Sequence, residues 1–137
     1  MSAELGGAVT SAPSLHHVAV GTADVEALAS FYARLLQAAE RRRHLDDAGA
    51  LRSIWLDLAG TLLMIERAES GALRPRVDGV GLGAFLLAFR AKPSERRAFE
   101  ERAEALGAAI ESRSAYTSYL RDPDGNRIAV SEYEVSP

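Results

Sequence analysis

Two side chains of this sequence, His17 and Glu66, are candidates for proton chemistry. The chain of 137 residues has three histidines and no cysteine, which excludes thiolate nucleophiles, disulfides and thiolate-ligated metals. An imidazole can act as a general acid or base or hydrogen-bond a ligand, and Glu66 can orient it or accept a proton itself. The alternative is that His17 is satisfied by a nearby polar group and that Glu66 is a solvated carboxylate at a strand end.

These residues lie on predicted strands, in a pattern of elements that occurs twice along the chain. The first half is predicted to be a strand, a helix and three strands, over residues 15–20, 22–37, 39–45, 51–58 and 61–66. The second half repeats this order over residues 83–90, 93–106, 108–113, 116–121 and 127–133. Gly60 and the Asp-Pro-Asp-Gly segment at 122–125 mark the turn before the last strand of each half. Internal duplication at this spacing is more informative than any single motif.

The duplication favours one domain with a short tail. Residues 1–13 are rich in Gly, Ala and Ser and are expected to be a flexible N-terminal tail. Residues 14–137 are expected to form a single domain, in which modules 14–66 and 83–134 are joined by a linker at 67–82. The net charge of −3 gives no electrostatic reason to expect nucleic acid, and no apolar run is long enough to predict a membrane span. A cytoplasmic globular protein is the default expectation.

Alternation along the strands predicts which side chains share one hollow. The more uniformly aliphatic face of each strand is expected to pack on the helices, and the other face to line a concave, mostly apolar pocket. The predicted pocket-facing residues are His17, Ala19, Ser53, Trp55, Leu62, Met64, Glu66, Phe85, Leu87, Phe89, Tyr116, Ser118, Leu120, Arg127, Ala129, Ser131 and Tyr133. His44 lies on a strand whose register the sequence leaves open.

Part of this set is predicted to bind a ligand. The expected ligand-binding residues are Trp55, Met64, Phe85, Tyr116, Ser118 and Ala129. Aromatic rings can stack a planar or apolar molecule, the hydroxyl of Tyr116 or Ser118 can orient it, and Arg127 can hold an anionic group. The alternative is that these side chains close a barrel interior or a contact between subunits.

Two segments resemble a known family. His-His-Val-Ala-Val with the helix after it, and Asp-Pro-Asp-Gly-Asn with the strand after it, are similar to the vicinal oxygen chelate superfamily, over residues 14–134. That group includes glyoxalase I, extradiol dioxygenases, fosfomycin- and bleomycin-resistance proteins and methylmalonyl-CoA epimerase. The resemblance implies an α+β fold, in which two βαβββ modules form a cupped, mostly antiparallel eight-stranded sheet with helices on the convex face, often within a homodimer. It does not imply one reaction, because one scaffold hosts many chemistries.

The resemblance also locates the metal site of the superfamily. The ligand positions fall on His17, Met64, Phe85 and Ala129, of which only His17 can bind a hard or borderline divalent ion. We therefore predict that the inherited metal site is lost and that the protein needs no cofactor. The alternative is a rearranged site, in which His17 and Glu66 hold a divalent ion.

The predicted function is that of a glyoxalase-like or bleomycin-resistance-like protein. It is expected to bind a small apolar or aromatic molecule in the cup, as a homodimer and without a catalytic metal. The alternative is a metal-dependent lyase, isomerase or dioxygenase of the glyoxalase type with a rearranged ligand set. Metal-free proton transfer by His17 and Glu66 and a purely structural role are two further hypotheses.

Overall fold

The computed structural model describes residues 12–70 and 77–134 of the 137-residue chain. Most of the predicted tail and the middle of the predicted linker, residues 1–11 and 71–76, lie outside the described residues, as do residues 135–137. The described elements follow the predicted order of strand, helix and three strands, twice. The predicted α+β fold of two βαβββ modules is confirmed.

The first module is a helix packed on a four-stranded mixed sheet. Its elements are β1 (His17–Thr22), α1 (Val25–Leu36), β2 (Glu40–Leu45), β3 (Leu51–Leu58) and β4 (Thr61–Arg67). The sheet order is β1-β4-β3-β2, with β1 parallel to β4 and the other pairs antiparallel. Asp24 caps α1 by accepting a hydrogen bond from the backbone N–H of Ala27 at 3.0 Å. Gly60, with φ of 79°, makes the tight turn between β3 and β4.

The second module repeats this arrangement with shorter strands. Its elements are β5 (Leu87–Arg90), a 3₁₀ turn (Pro93–Glu95), α2 (Arg96–Ala105), β6 (Ser112–Arg113), β7 (Thr117–Arg121) and β8 (Arg127–Ser131). The sheet order is β5-β8-β7-β6, with β5 parallel to β8. The predicted strand at 83–90 begins only at Leu87, where pairing with Ile128 of β8 starts, and Gly83, with φ of 77°, turns the chain four residues earlier. Neither helix of the described residues is long and apolar enough to cross a lipid bilayer.

The two modules share one hydrophobic core. In the described part of the chain the eight strands form two separate four-stranded sheets, and backbone hydrogen bonds do not join them into one sheet or a closed barrel. The core draws residues from both helices and both sheets: Val25, Leu28, Ala29, Phe31, Tyr32, Leu35, Ile54, Leu56, Leu63, Ile65, Phe99, Ala103, Ala108, Leu120, Ile128 and Val130. Because each sheet turns one face toward this core, its other face points away from it. We call these outer surfaces the open face of the first module and the open face of the second module.

A buried hydrogen bond connects the modules through the core. The hydroxyl of Tyr32, on α1, donates to Asp122 Oδ2 at 2.6 Å, and both residues are buried. Burial and the neighbouring Asp122 carboxylate raise the pKa of Tyr32, so its hydroxyl remains a donor at neutral pH. Asp122 begins the turn between β7 and β8, which therefore lies against the helix of the other module. A second connection runs from Arg102 Nε to the carbonyl of Leu35 at 3.0 Å.

Replacing Tyr32 with phenylalanine should destabilise the protein without changing the shape of the core. The substitution removes one donor from a buried carboxylate, which costs about 2 kcal/mol of unfolding free energy. Urea unfolding at pH 7 measures this loss. Tyr133→Phe is the matched control, because Tyr133 is exposed, and its unfolding free energy should change by less than about 0.5 kcal/mol. Equal effects of the two substitutions would contradict the role given to the Tyr32–Asp122 bond.

Candidate functional site

The open face of the first module carries the side chains that alternation predicted for it. Residues paired across a β-ladder share a face, so the pairs between β1, β3 and β4 define this surface. Its residues are His17, Ala19, Ser53, Trp55, Asp57, Leu62, Met64 and Glu66, with Arg42 and His44 added by the pairing of β2. The intervening residues Ile54, Leu56, Leu63 and Ile65 all lie in the core. Period-two alternation therefore predicted the face correctly for β1, β3 and β4.

Trp55 is the centre of this open face. Its indole N–H donates to Glu66 Oε2 at 3.2 Å, and its ring lies 4.5 Å from the ring of His44, measured between centroids. Since His44 and Glu66 each pair with Ser53, the indole crosses the sheet above Ser53, which is only 1% exposed. The ring is thus held in place by these two contacts, with the apolar side chain of Met64 on the adjacent strand.

His44 is a residue of this surface that sequence reasoning did not place. Its Nε2 atom is the one buried side-chain nitrogen or oxygen without a hydrogen-bond partner among the described residues. The β2 register depends on irregular pairing between Glu40 and Arg42 and between His44 and Leu45, which alternation in one strand does not reveal. The three arginines before His44 do not indicate either which face of the sheet His44 lies on.

The structure separates His17 from Glu66. His17 pairs with Leu62, whereas Glu66 pairs with Gly21, so the two residues lie four positions apart, about 13 Å along the strands. His17 is exposed, and its Nδ1 lies 2.9 Å from Nδ1 of His16 rather than near a carboxylate. The prediction that His17 and Glu66 act as a pair, in proton transfer or in holding an ion, is therefore wrong. The reason is that alternation tells which residues lie on the same face of the sheet, but not how far apart they lie along the strands.

The predicted faces of β5 and β7 are wrong by one residue. Leu87 and Phe89 pair with the core residues Ile128 and Val130, and Phe89 lies 6.1 Å from the ring of Tyr32. On β7, likewise, Ser118 and Leu120 face the core and the helices rather than the open face. On these strands apolar or aromatic residues occur at both odd and even positions, so alternation alone does not show which set faces the core. Phe85 precedes β5, and Tyr116 precedes β7, where it lies against Tyr133 at 5.3 Å between ring centroids.

Ser118 belongs to a structural network instead of a ligand site. Its hydroxyl accepts a hydrogen bond from Arg96 Nε at 2.9 Å and donates to Glu100. Arg113 binds both oxygens of Glu100 at 3.0 Å, and Arg96 also donates to the carbonyls of Ser114 and Ala115. The network fastens α2 to β7 and to the turn before it. Ser118 is fully buried within it, which removes the hydroxyl from the surface where we predicted it.

The open face of the second module is polar and cationic. Its residues, from the pairing of β5, β7 and β8, are Ala88, Arg90, Thr117, Tyr119, Arg121, Arg127, Ala129 and Ser131. The guanidinium of Arg127 lies 5.6 Å from the centroid of the Tyr119 ring. Ala129, which pairs with Tyr119, is fully buried, as expected of a small residue beneath these two large side chains. Arg127 and Ala129 thus face away from the core as predicted. On β7 the side chain on this surface is that of Tyr119 and not, as predicted, that of Ser118.

The superfamily metal does not fit the side chains at its ligand positions. In the repeat of the two modules, Leu63 corresponds to Ile128. Because Val18 pairs with Leu63 and Leu87 pairs with Ile128, Val18 corresponds to Leu87. The counterpart of His17, one residue earlier, is therefore Leu86 rather than Phe85. The donor set at the four positions is then one imidazole, one thioether and two hydrocarbon side chains. Across residues 12–70 and 77–134, no three His, Cys, Asp or Glu side chains are grouped as metal ligands would be. A divalent ion would lack the three or four nitrogen and oxygen ligands it needs.

A cleft lies at one end of the first open face. Its volume is about 440 Å³, and its lining includes His16, Arg42, Trp55, Thr61 and Leu62. Asp57, also at the cleft, is engaged by Arg41 at 3.0 Å. The cleft joins the edge of the indole to the apolar side chain of Leu62, and its size suits a small organic molecule.

The Glu100 network should make stability depend on acid pH. The hydrogen bond from Arg113 holds the pKa of Glu100 below its ordinary value of 4.5. A carboxyl group with a lowered pKa in the folded state stabilises fully above its unfolded value and loses that contribution as the pH falls through its folded value. Glu100→Gln should therefore lower the unfolding free energy by about 1 kcal/mol at pH 7, and the difference from the wild type should shrink below pH 4.5.

Urea unfolding between pH 7 and pH 3 measures this dependence. Glu101→Gln is the control on the same helix, because Glu101 is exposed and pairs only with Arg97 among the described residues. Parallel pH profiles for the wild type and Glu100→Gln would contradict the assignment.

Comparisons with known proteins agree with this architecture. A family model for the glyoxalase-like domain matches residues 17–131. The solved structure of a mutant of the fosfomycin resistance protein FosX from Listeria monocytogenes, complexed with Mn(II) and 1S,2S-dihydroxypropylphosphonic acid, superposes with a TM-score of 0.73. The two share 21% identity over 89% of this chain and 94% of FosX.

Two further structures show the same fold. A glyoxalase/dioxygenase from Nostoc punctiforme has a TM-score of 0.69, with 22% identity over 85% of this chain and 88% of its own. Lactoylglutathione lyase from Agrobacterium tumefaciens has a TM-score of 0.60, with 22% identity over 89% of this chain and 95% of its own. No curated protein gives a significant sequence match.

Proposed function

Because the chain belongs to the glyoxalase-like domain family of the vicinal oxygen chelate superfamily, we propose that it binds a small, largely apolar or aromatic molecule without a catalytic metal. The observation that carries this proposal is the donor set at the superfamily's ligand positions. His17 occupies one of these four positions, and the other three hold Met64, Ala129 and Leu86, whose side chains offer neither nitrogen nor carboxylate oxygen. The scaffold is thus retained while the side chains that would bind the ion are replaced.

Trp55 is the contact surface proposed for the ligand. Its ring has the area to cover a planar or apolar molecule, and the hydrogen bond to Glu66 holds it in one orientation. Met64 and Leu62 extend the apolar surface along β4, and the cleft beside Leu62 adds depth. The same face also carries Arg42, His44, Asp57 and Glu66, so polar groups that can orient a ligand border this apolar area.

A second copy of the chain is proposed to complete the site. Each open face points away from the shared core, and among the described elements the strands of one module do not pack over the sheet of the other, so neither open face covers the other. A ligand on Trp55 would keep one side in water unless another surface covers it, and buried apolar area supplies most of the affinity of such sites. A homodimer, in which the open face of one first module meets that of a second module, provides this cover.

Truncating Trp55 tests the proposed contact surface. In Trp55→Ala the lost ring contact should weaken binding of N-phenyl-1-naphthylamine, a neutral apolar fluorophore, by at least about tenfold. The increase in fluorophore emission on titration measures the dissociation constant. Leu45→Ala is the control, because Leu45 is an exposed apolar side chain on β2 outside the open face, and its affinity should equal that of the wild type.

Metal analysis of the same preparation, purified without chelator, tests the other half of the proposal. Dialysis against EDTA should leave the fluorophore affinity unchanged. The proposal is wrong if the protein carries near-stoichiometric Zn, Ni, Fe or Mn that His17→Ala loses, or if Trp55→Ala binds the fluorophore as tightly as the wild type does.

Dilution tests the role of the second copy. Sedimentation should give a mass twice the 14.7 kDa of the chain, and fluorophore binding should fall in parallel with dimer on dilution. The physical reason is that a monomer leaves the bound molecule half in water. A monomer that binds the fluorophore with the affinity of the concentrated protein would exclude a shared site.

A further inference from the structure

The open faces carry an excess of positive charge that the rest of the chain does not share. Their charged residues are Arg42, Asp57, Glu66, Arg90, Arg121 and Arg127. The two open faces together therefore carry four arginines and two carboxylates, although the whole chain has 16 basic and 19 acidic side chains. The excess is local to the surfaces on which we propose that the ligand binds.

Internal contacts neutralise only part of this set. Asp57 is engaged by Arg41, and Glu66 accepts the indole N–H of Trp55. Arg121 is nearly buried, and it is bound by the carbonyls of Val77 and Gly125 and by the carboxylates of Asp78 and Glu111. Arg42, Arg90 and Arg127 form no ion pair with any carboxylate in the described part of the chain.

Arg127 is the most constrained of these three guanidiniums. It is half-buried beside the Tyr119 ring, and it lies directly opposite Arg121 on the neighbouring strand. Like charges directly opposite each other on adjacent strands destabilise a sheet, and a partly desolvated cation without a counter-charge adds to that cost. The contact with Tyr119 restricts the side chain to few orientations, so a bound anion would not have to order it.

Arg90 stands at the other end of the same surface. It pairs with Ser131, four residues beyond Arg127 on β8, and Ala88 and Ala129 lie between the two arginines. Ala88 is exposed, so the surface beside Arg127 has room for a ligand group, while Arg90 lies about 13 Å away along the strands.

We propose that the ligand of this site carries an oxyanion, a carboxylate or a phosphate group, and that Arg127 binds it. The inference rests on the proposed function and makes it narrower: the apolar part of the ligand lies on Trp55, and its anionic group lies on the open face of the second module. The ligand class is then an aromatic or apolar organic acid or phosphate ester. The guanidinium fork matches the paired oxygens of either anion.

Three small probes of similar size separate charge from shape. Benzoate and phenyl phosphate supply the two anions, and benzamide is the neutral isostere of benzoate. Amide resonances of β8 (Arg127–Ser131) and the single indole resonance of Trp55 report binding in NMR titrations of the full chain. At least one anion should bind tenfold or more tightly than benzamide, and raising the salt concentration should weaken the anion alone. The tighter of benzoate and phenyl phosphate identifies the anion class.

Arginine variants locate the anion contact. Arg127→Gln should bring the affinity for the preferred anion to within about twofold of that for benzamide, with benzamide affinity unchanged. Arg127→Lys keeps the charge but loses the fork, and it should retain part of the preference. Arg97→Gln is the matched control, because Arg97 is an exposed arginine of α2 that pairs with Glu101, and it should bind all three probes as the wild type does.

The outcomes distinguish this inference from the function on which it rests. Equal affinity of the wild type for benzoate, phenyl phosphate and benzamide would overturn the anion site and leave small-molecule binding standing. An anion preference that survives in Arg127→Gln would also overturn it, and so would a preference that is lost in the control Arg97→Gln. Failure of all three probes and of N-phenyl-1-naphthylamine to bind would overturn the proposed function and the anion site together.

Discussion

The carboxylate of Asp122 holds the two modules together. It is buried, and it accepts hydrogen bonds from the Tyr32 hydroxyl, the backbone N–H groups of Asp124 and Asn126, and the side-chain amide of Asn126. A buried charge is tolerated only when its lone pairs are occupied, so the turn and the helix of the other module depend on each other. This dependence keeps the modules packed core to core. It also sends both open faces outward, because a sheet that turns one face to the core exposes the other.

The outward direction of the open faces decides what kind of site the chain can build. On the first module a fixed indole lies beside Met64, with the Glu66 carboxylate and the His44 ring against it. On the second module arginine side chains flank two alanines. The first surface has a cleft at one end, and the two surfaces differ in chemistry. A ligand that touched both would need an apolar part and a polar part, which is why the proposed dimer and the proposed anion site support each other.

The side chains near the superfamily's ligand positions make contacts other than with one another. His17 remains on the first strand, yet it contacts His16 rather than a carboxylate or a second ligand position. Glu66 is engaged by Trp55, and His44, which lies against the same indole, holds a buried nitrogen without a hydrogen-bond partner in the described ranges 12–70 and 77–134. The polar groups of the first open face are thus arranged around an aromatic ring instead of around an ion.

The sequence by itself determined the two modules, the order of their elements and the faces of β1, β3 and β4 in the first module. Those features follow from local patterns, since helix and strand periods, the cap at Asp24 and the turns at Gly60 and Gly125 are each written in a few neighbouring residues. Tertiary structure decided the rest. The phase of β5 and β7 depended on which of two apolar faces met Tyr32 and α2, and the position of His44 depended on irregular pairing in β2. The separation of His17 from Glu66 depended on the register between β1 and β4. Contacts between distant segments set these properties, so no pattern within a single strand contains them.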